Sequence, residues 1–247
     1  MSYIGTDKVG KMFLGSTAIG KAYLGSDLVY SSAGSGQAET TYIRDNLVFH
    51  LDGINRGGST GHWIDLIGGV DFTLIDCTEA TDHVSFGGTG YGSTSTNLNY
   101  PFANYTMEIV AAPNFTTPSA FNVFFMANGN DNIAFGVGSS GMALTATSSR
   151  KKLYFSRPTN ITHYYIGAGI DYAVFINGAS ATLHTDLSYV ESKGKPSIGC
   201  RMNGSTAENK FDGSIYSIRV YQGNLTAEQR QHNLSVDNER FNMGLTL

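Results

Sequence analysis

Apolar and polar residues alternate with a period of two along most of this chain, and Gly-, Asn- and Ser-rich breaks interrupt the pattern about every 8–12 residues. The pattern predicts strands over residues 47–52, 63–67, 72–75, 83–86, 105–111, 133–137, 142–147 and 152–155. Residues 121–127 are nearly all apolar, as in a strand buried on both sides. Strands over 162–169 and 171–176 lead into Asn177-Gly178, a dipeptide that reaches positive φ easily and so favours a two-residue hairpin. A return strand over 179–184 follows, then strands over 195–200 and 211–221. The period changes at the end. Thr226-Ala227-Glu228-Gln229 is a capping box, with Thr226 as N-cap and Gln229 at the third helical position. It predicts a helix from about Ala227 into the 230s, packed on an edge or end of the sheets.

A second periodicity occupies residues 1–30. Tyr3-Ile4-Gly5-Thr6, Phe13-Leu14-Gly15-Ser16 and Tyr23-Leu24-Gly25-Ser26 recur in phase, each followed after two variable positions by Val9, Ile19 or Val29. Each unit reads as a strand, a Gly-Ser/Thr turn and a second strand. Ten residues cannot bury their own aromatic and aliphatic pair. Tyr3, Ile4, Phe13, Leu14, Tyr23 and Leu24 are therefore the expected contact residues of an assembly arm, bedded into its own domain, a sister subunit or another protein. Ser31-Ser32-Ala33-Gly34-Ser35-Gly36-Gln37-Ala38 is a linker by composition, so the main domain is expected over 39–247.

Composition narrows the function classes. Only 15% of residues are charged, Gly reaches 30 and the net charge is −4, which suits short strands and tight turns. Apart from Arg150-Lys151-Lys152 the basic residues are scattered, so no nucleic-acid face is expected. No apolar run is long enough to cross a membrane as a helix, and the N-terminus lacks the basic head and apolar stretch of a signal peptide. Exit from a cell would then need another route, such as lysis. Cys77 and Cys200 read as two free thiols packed as small hydrophobes rather than as a bridge.

Catalytic patterns are absent from the sequence. No glutamate sits in a Glu-x-Asp-x-Glu strand, and Glu108 has Thr106 and Val110 as its neighbours two positions away. The six histidines have no metal-ligand spacing. Gly88-Thr89-Gly90-Tyr91-Gly92 follows a strand but opens no helix, so it reads as a turn and not a nucleotide loop. Saccharide binding would need an aromatic platform. Trp63, Tyr91 and Tyr100 are the candidates, although the core is the favoured place for Trp63.

Several landmarks together resemble a laminin-G-like jelly roll of the concanavalin A kind. Leu47-Val48-Phe49-His50-Leu51-Asp52 is similar to that family's opening strand. Ile161-Thr162-His163-Tyr164-Tyr165, Tyr172-Ala173-Val174-Phe175-Ile176-Asn177-Gly178 and Phe211-Asp212-Gly213-Ser214-Ile215-Tyr216-Ser217-Ile218-Arg219-Val220-Tyr221 match three later segments, and Leu225-Thr226-Ala227-Glu228-Gln229 its tail. The resemblance implies an all-β, two-sheet antiparallel sandwich with a tendency to bind glycans or proteins. It also implies Ca²⁺ as the cofactor to consider, with Asn128, Asn130 and Asp131 as its oxygen donors. The arm resembles short N-terminal repeats in structural proteins of Bacteroidetes-infecting phages. Together these imply a non-enzymatic virion structural protein: a capsid decoration, head fibre or tail-associated module, displayed on the virion surface. The expected partners are other virion proteins through the arm, further copies in a homo-oligomer, and a host-surface polysaccharide. The alternatives are a carbohydrate-binding adhesin module and a glycoside hydrolase on the same fold.

Overall fold

The computed structural model describes residues 3–4, 7–8, 12–14, 17–19, 21–24, 27–31, 41–99, 105–114, 122–126, 134–138, 141–146, 149–153, 160–167, 174–181 and 193–247. The chain divides into two units, residues 1–41 and 42–247.

In the first unit each ten-residue repeat contributes one antiparallel hairpin. Tyr3–Ile4 pairs with Asp7–Lys8, Met12–Leu14 with Thr17–Ile19, and Lys21–Leu24 with Asp27–Ser31. The pairs nearest each turn are Ile4 with Asp7, Leu14 with Thr17 and Leu24 with Asp27, which leaves Gly-Thr or Gly-Ser between the strands. Each hairpin is a separate two-stranded sheet among the described residues.

The second unit is built from two eight-stranded antiparallel sheets. The first runs Thr78–Glu79, Val84–Ser85, Gly213–Gln222, Tyr105–Pro113, Thr162–Ile166, Val174–Ile176, Ala179–Ala181, and Leu47–Asp52 also pairs with the closing strand Gly213–Gln222. The second runs Ser149–Leu153, Gly141–Ala146, Ala134–Gly138, Asn122–Met126, Ser197–Ile198, Tyr91–Ser93, Asp71–Ile75, His62–Ile64.

Alternation decides which residues meet. In the first sheet, Phe49, Val220, Met107, Ile166 and Val174 stand opposite one another across five strands, and Leu51, Ile218, Ile109, Tyr164 and Ile176 form the next row. These rows face Trp63, Phe72, Phe125 and Ile198 of the second sheet in one core. The Phe49 ring lies 6.0 Å from Phe72 and 5.8 Å from Phe125. Burying a side chain of this size contributes roughly 1.5–3 kcal/mol.

The predicted turn and cap both form. Asn177 and Gly178 have φ of 49° and 80°, the signs a type I′ hairpin demands, and Ile176 pairs with Ala179 across them. The helix spans Ala227–Arg240: Gln229 N donates to Thr226 Oγ1, and Thr226 N donates to Gln229 Oε1. The glycine of the closing-strand motif has a steric cause. Gly213 lies at φ 148°, and a Cβ there would stand 2.4 Å from the Ala112 carbonyl oxygen.

The structure also departs from the sequence reading. Tyr91 opens a strand, Tyr91–Ser93, where the flanking glycines had suggested a turn. The hairpin of Arg201–Asn203 with Thr206–Glu208 was not anticipated. Its signal is Asn203-Gly204, a hairpin dipeptide flanked by two strands of only three residues each.

Candidate functional site

The two outward faces of the sandwich differ. On the first sheet, His50, Arg219, Glu108, Tyr165 and Phe175 stand opposite one another on five strands. The C-terminal helix covers part of this face. Arg219 Nη1 and Nη2 donate to Asp237 Oδ1 and Oδ2 at 2.8 and 2.6 Å, and Arg219 Nε donates to Glu108 Oε2 at 3.0 Å. Asn233 Nδ2 donates to Glu108 Oε2 and to the Tyr221 hydroxyl. Tyr42 donates its hydroxyl proton to Asp237 Oδ1, and its ring lies 3.9 Å below the Arg219 guanidinium. Arg240 pairs with Asp52 at the margin.

Burial sets the protonation in this network. It pushes the Glu108 carboxyl up, but the Arg219 guanidinium and His163 outweigh it, and the carboxyl stays below its usual range. Burial opposes the charge on Arg219, yet Asp237 and Glu108 hold it firmly protonated. His50 is pushed down to about 3, by burial first and then by Arg219, so it remains neutral. Glu108 and Asp237 are the carboxylates that converge in this network, and both are fully buried and held by one guanidinium. That arrangement fastens a helix to a sheet; it offers neither a free acid nor a free base to a substrate.

The second sheet turns a different face outward. His62, Thr73, Ser93 and Ser197 stand opposite one another on four adjacent strands, with Asp71, Ile75 and Tyr91 beside them. Inward-facing Trp63, Phe72, Gly92 and Ile198 alternate with this set. His62 Nδ1 lies 3.0 Å from both Asp71 carboxylate oxygens, and these side chains keep 39% and 49% exposure. Lys210 Nζ lies 5.2 Å from the centre of the half-buried Tyr91 ring. Ser197 closes the row: it is buried, and its hydroxyl donates to the Cys200 carbonyl. The face thus offers a phenol, an ammonium, hydroxyls and an imidazole–carboxylate pair on a rigid sheet.

The sequence candidates fare differently. Tyr91 lies on this face. Trp63 does not: it is fully buried, its indole Nε1 donates to the Asp52 carbonyl at 3.1 Å, and it is a core residue rather than a platform. Its strand neighbours His62 and Ile64 take the outward positions. Tyr100 and the Asn128, Asn130 and Asp131 segment lie outside the described residues. Among the described residues no three His, Cys, Asp or Glu side chains converge as metal ligands. Cys77 and Cys200 are free thiols, as expected. The six arm residues Tyr3, Ile4, Phe13, Leu14, Tyr23 and Leu24 all lie on the paired strands of the three hairpins.

No protein-family profile matches the sequence, and no curated protein sequence does. Solved structures are similar in fold. Trypanosoma rangeli sialidase in complex with 2,3-difluorosialic acid superposes with a TM-score of 0.58 at 12% identity, over 90% of this chain and 36% of the sialidase. The ligand binding domain of botulinum neurotoxin serotype D in complex with N-acetylneuraminic acid gives 0.57 at 12% identity, over 78% of this chain and 51% of that one. Domain 4 of AbnA, a GH43 extracellular arabinanase from Geobacillus stearothermophilus, in complex with arabinotriose, gives 0.53 at 17% identity, over 76% of this chain and 98% of the domain. This chain spans about a third of the sialidase's length. At these identities the likeness speaks to architecture alone: the chain carries an antiparallel, lectin-like β-sandwich of the jelly-roll type, closed by one C-terminal helix.

Proposed function

We propose that this protein is a non-enzymatic, saccharide-binding sandwich displayed on a phage virion, as a capsid decoration, head fibre or tail-associated module held by its N-terminal arm. The observation that carries the saccharide reading is the asymmetry of the two faces. One is largely taken up by the helix and its buried ion pairs. The other presents Tyr91, Lys210, Thr73, Ser93 and the His62–Asp71 pair. Sugars bind where an aromatic ring meets their C–H face while fixed polar groups meet their hydroxyls. Neighbours of this architecture bind N-acetylneuraminic acid and arabinotriose, which agrees with a host-surface polysaccharide as ligand.

The attachment reading rests on the arm. Isolated two-stranded hairpins are marginal in water, and each repeat pairs only with itself among the described residues. Three such hairpins in phase call for a partner surface, here other virion proteins or sister copies in a homo-oligomer. A glycan array probed with the full-length chain tests the first half, and saturable binding that Tyr91→Ala removes is the expected result. Mass spectrometry of purified particles, with and without residues 1–30, tests the second. Incorporation that does not depend on the arm would refute it.

A further inference from the structure

The helix leaves part of the first sheet uncovered, and a cleft of about 130 Å³ opens there between its first turns and the strands Thr162–Ile166 and Val174–Ile176. The volume is well below the roughly 300–1,000 Å³ of a drug-sized site, so the cleft suits one small group. Gly178 lies at its rim at φ 80°, and a Cβ there would press on the Leu234 side chain, 2.8 Å from Cδ2.

The lining is chemically specific. Phe175 and Tyr165 stand opposite each other on adjacent strands with ring centres 5.7 Å apart. The Arg230 guanidinium carbon lies over both rings, 4.2 Å from the centre of Phe175 and 5.2 Å from that of Tyr165. Its Nη1 donates to the Leu225 carbonyl at 2.9 Å, which anchors the group. The N–H groups that this bond does not use suit a planar acceptor such as a carboxylate. Gln231 adds an amide at the rim. His163, also lining the cleft, is 3% exposed; its Nε2 faces Glu108 Oε1 at 3.5 Å, and its Nδ1 has no hydrogen-bond partner. Buried polar atoms without partners are rare in native folds. The helix terminus is not the anion site, since the capping box of Thr226 and Gln229 closes it and Glu228 places a carboxylate in its first turn.

The geometry points to a carboxylate-binding subsite in this cleft, centred on Arg230 and independent of the face that carries Tyr91. The carboxylate would meet the free edge of the guanidinium, and its carbon skeleton would lie against Phe175. An acidic sugar and a simple organic acid share this chemistry.

Calorimetric titration of the full-length protein with glucuronate, propionate and the neutral glucuronamide separates the cases. Saturable binding of glucuronate, with none of glucuronamide, is expected. Propionate binding as tightly as glucuronate would assign the site to simple acids, and weaker propionate binding to sugar acids; either keeps the carboxylate subsite. Arg230→Lys retains the charge and the apolar stem but loses the fork, and should weaken binding at least about tenfold. Ala227→Phe, at an exposed position on the rim, should block entry without disturbing the fold. Tyr91→Ala should leave this titration unchanged, so failure here and failure of the saccharide face remain distinguishable. Equal binding of glucuronamide, no saturable binding of either acid, or unaltered affinity in Arg230→Lys would overturn the proposal.

Discussion

Arg219, at the middle of the closing strand, and Asp237, in the last turns of the helix, are joined by two parallel hydrogen bonds of 2.8 and 2.6 Å with no solvent access to either side chain. The pair fixes where the helix sits, and the helix in turn decides which part of the first sheet is closed. Glu108 and Asn233 complete the arrangement: one guanidinium lies between two buried carboxylates, and the Asn233 amide donates to that of Glu108.

Removing one partner should therefore cost far more than an exposed ion pair would. Arg219→Met is expected to lower unfolding free energy by about 3–5 kcal/mol, because it leaves two buried carboxylates uncompensated, whereas Asp237→Asn, which leaves Arg219 paired with Glu108, should cost less. Denaturant unfolding measures this. A loss below about 1 kcal/mol in Arg219→Met, the scale of surface pairs, would contradict the account.

His50 should make stability depend on pH in a defined window. Its pKa falls from 6.5 unfolded to about 3 folded, so below 6.5 the unfolded chain binds a proton that the folded chain refuses. Stability is then present above pH 6.5 and is lost as pH falls toward 3. Between pH 7 and pH 5 the expected loss from this group is about 2 kcal/mol. His50→Gln should remove that slope, whereas a variant with the same pH dependence as the parent would rule His50 out as its source.

The two thiols should be inert in the folded state. Burial pushes Cys77 up to about 12 and Cys200 to about 11, and the thiolate is the reactive form. A thiol reagent at neutral pH should modify neither cysteine in native buffer and both in denaturant. Rapid native labelling of either would show that its surroundings open.

Much of this architecture was legible in the chain. Period-two alternation marked the strands that carry Phe49, Met107, Ile109, Ile218 and Val220 into the core. Asn177-Gly178 and Thr226 with Gln229 marked a turn and a helix start by local chemistry alone. The repeat at Tyr3, Phe13 and Tyr23 marked three hairpins. The polar network was not legible, because its key pairing is a matter of register. Glu108 was read against Thr106 and Val110 along its own strand, while its partner Arg219 lies 111 residues away. A trace was present: Glu108 and Arg219 each sit between bulky apolar residues, and Asn233 and Asp237 recur four apart on the helix. Tyr91 was misread as a loop residue because glycines flank it, although Gly92 lies against Leu74 and Ile198 inside the sandwich. Trp63 was favoured for the core, and the exposure of its neighbours in a three-residue strand agrees with that.

The most direct test is calorimetric titration of a glycan selected on the array into full-length protein and into its Tyr91→Ala variant, with thermal unfolding of both. The account predicts saturable binding by the parent, a loss of at least about tenfold in the variant, and an unchanged unfolding midpoint. Equal affinity in the two proteins would contradict the claim that the open face of the second sheet is where this sandwich meets its ligand.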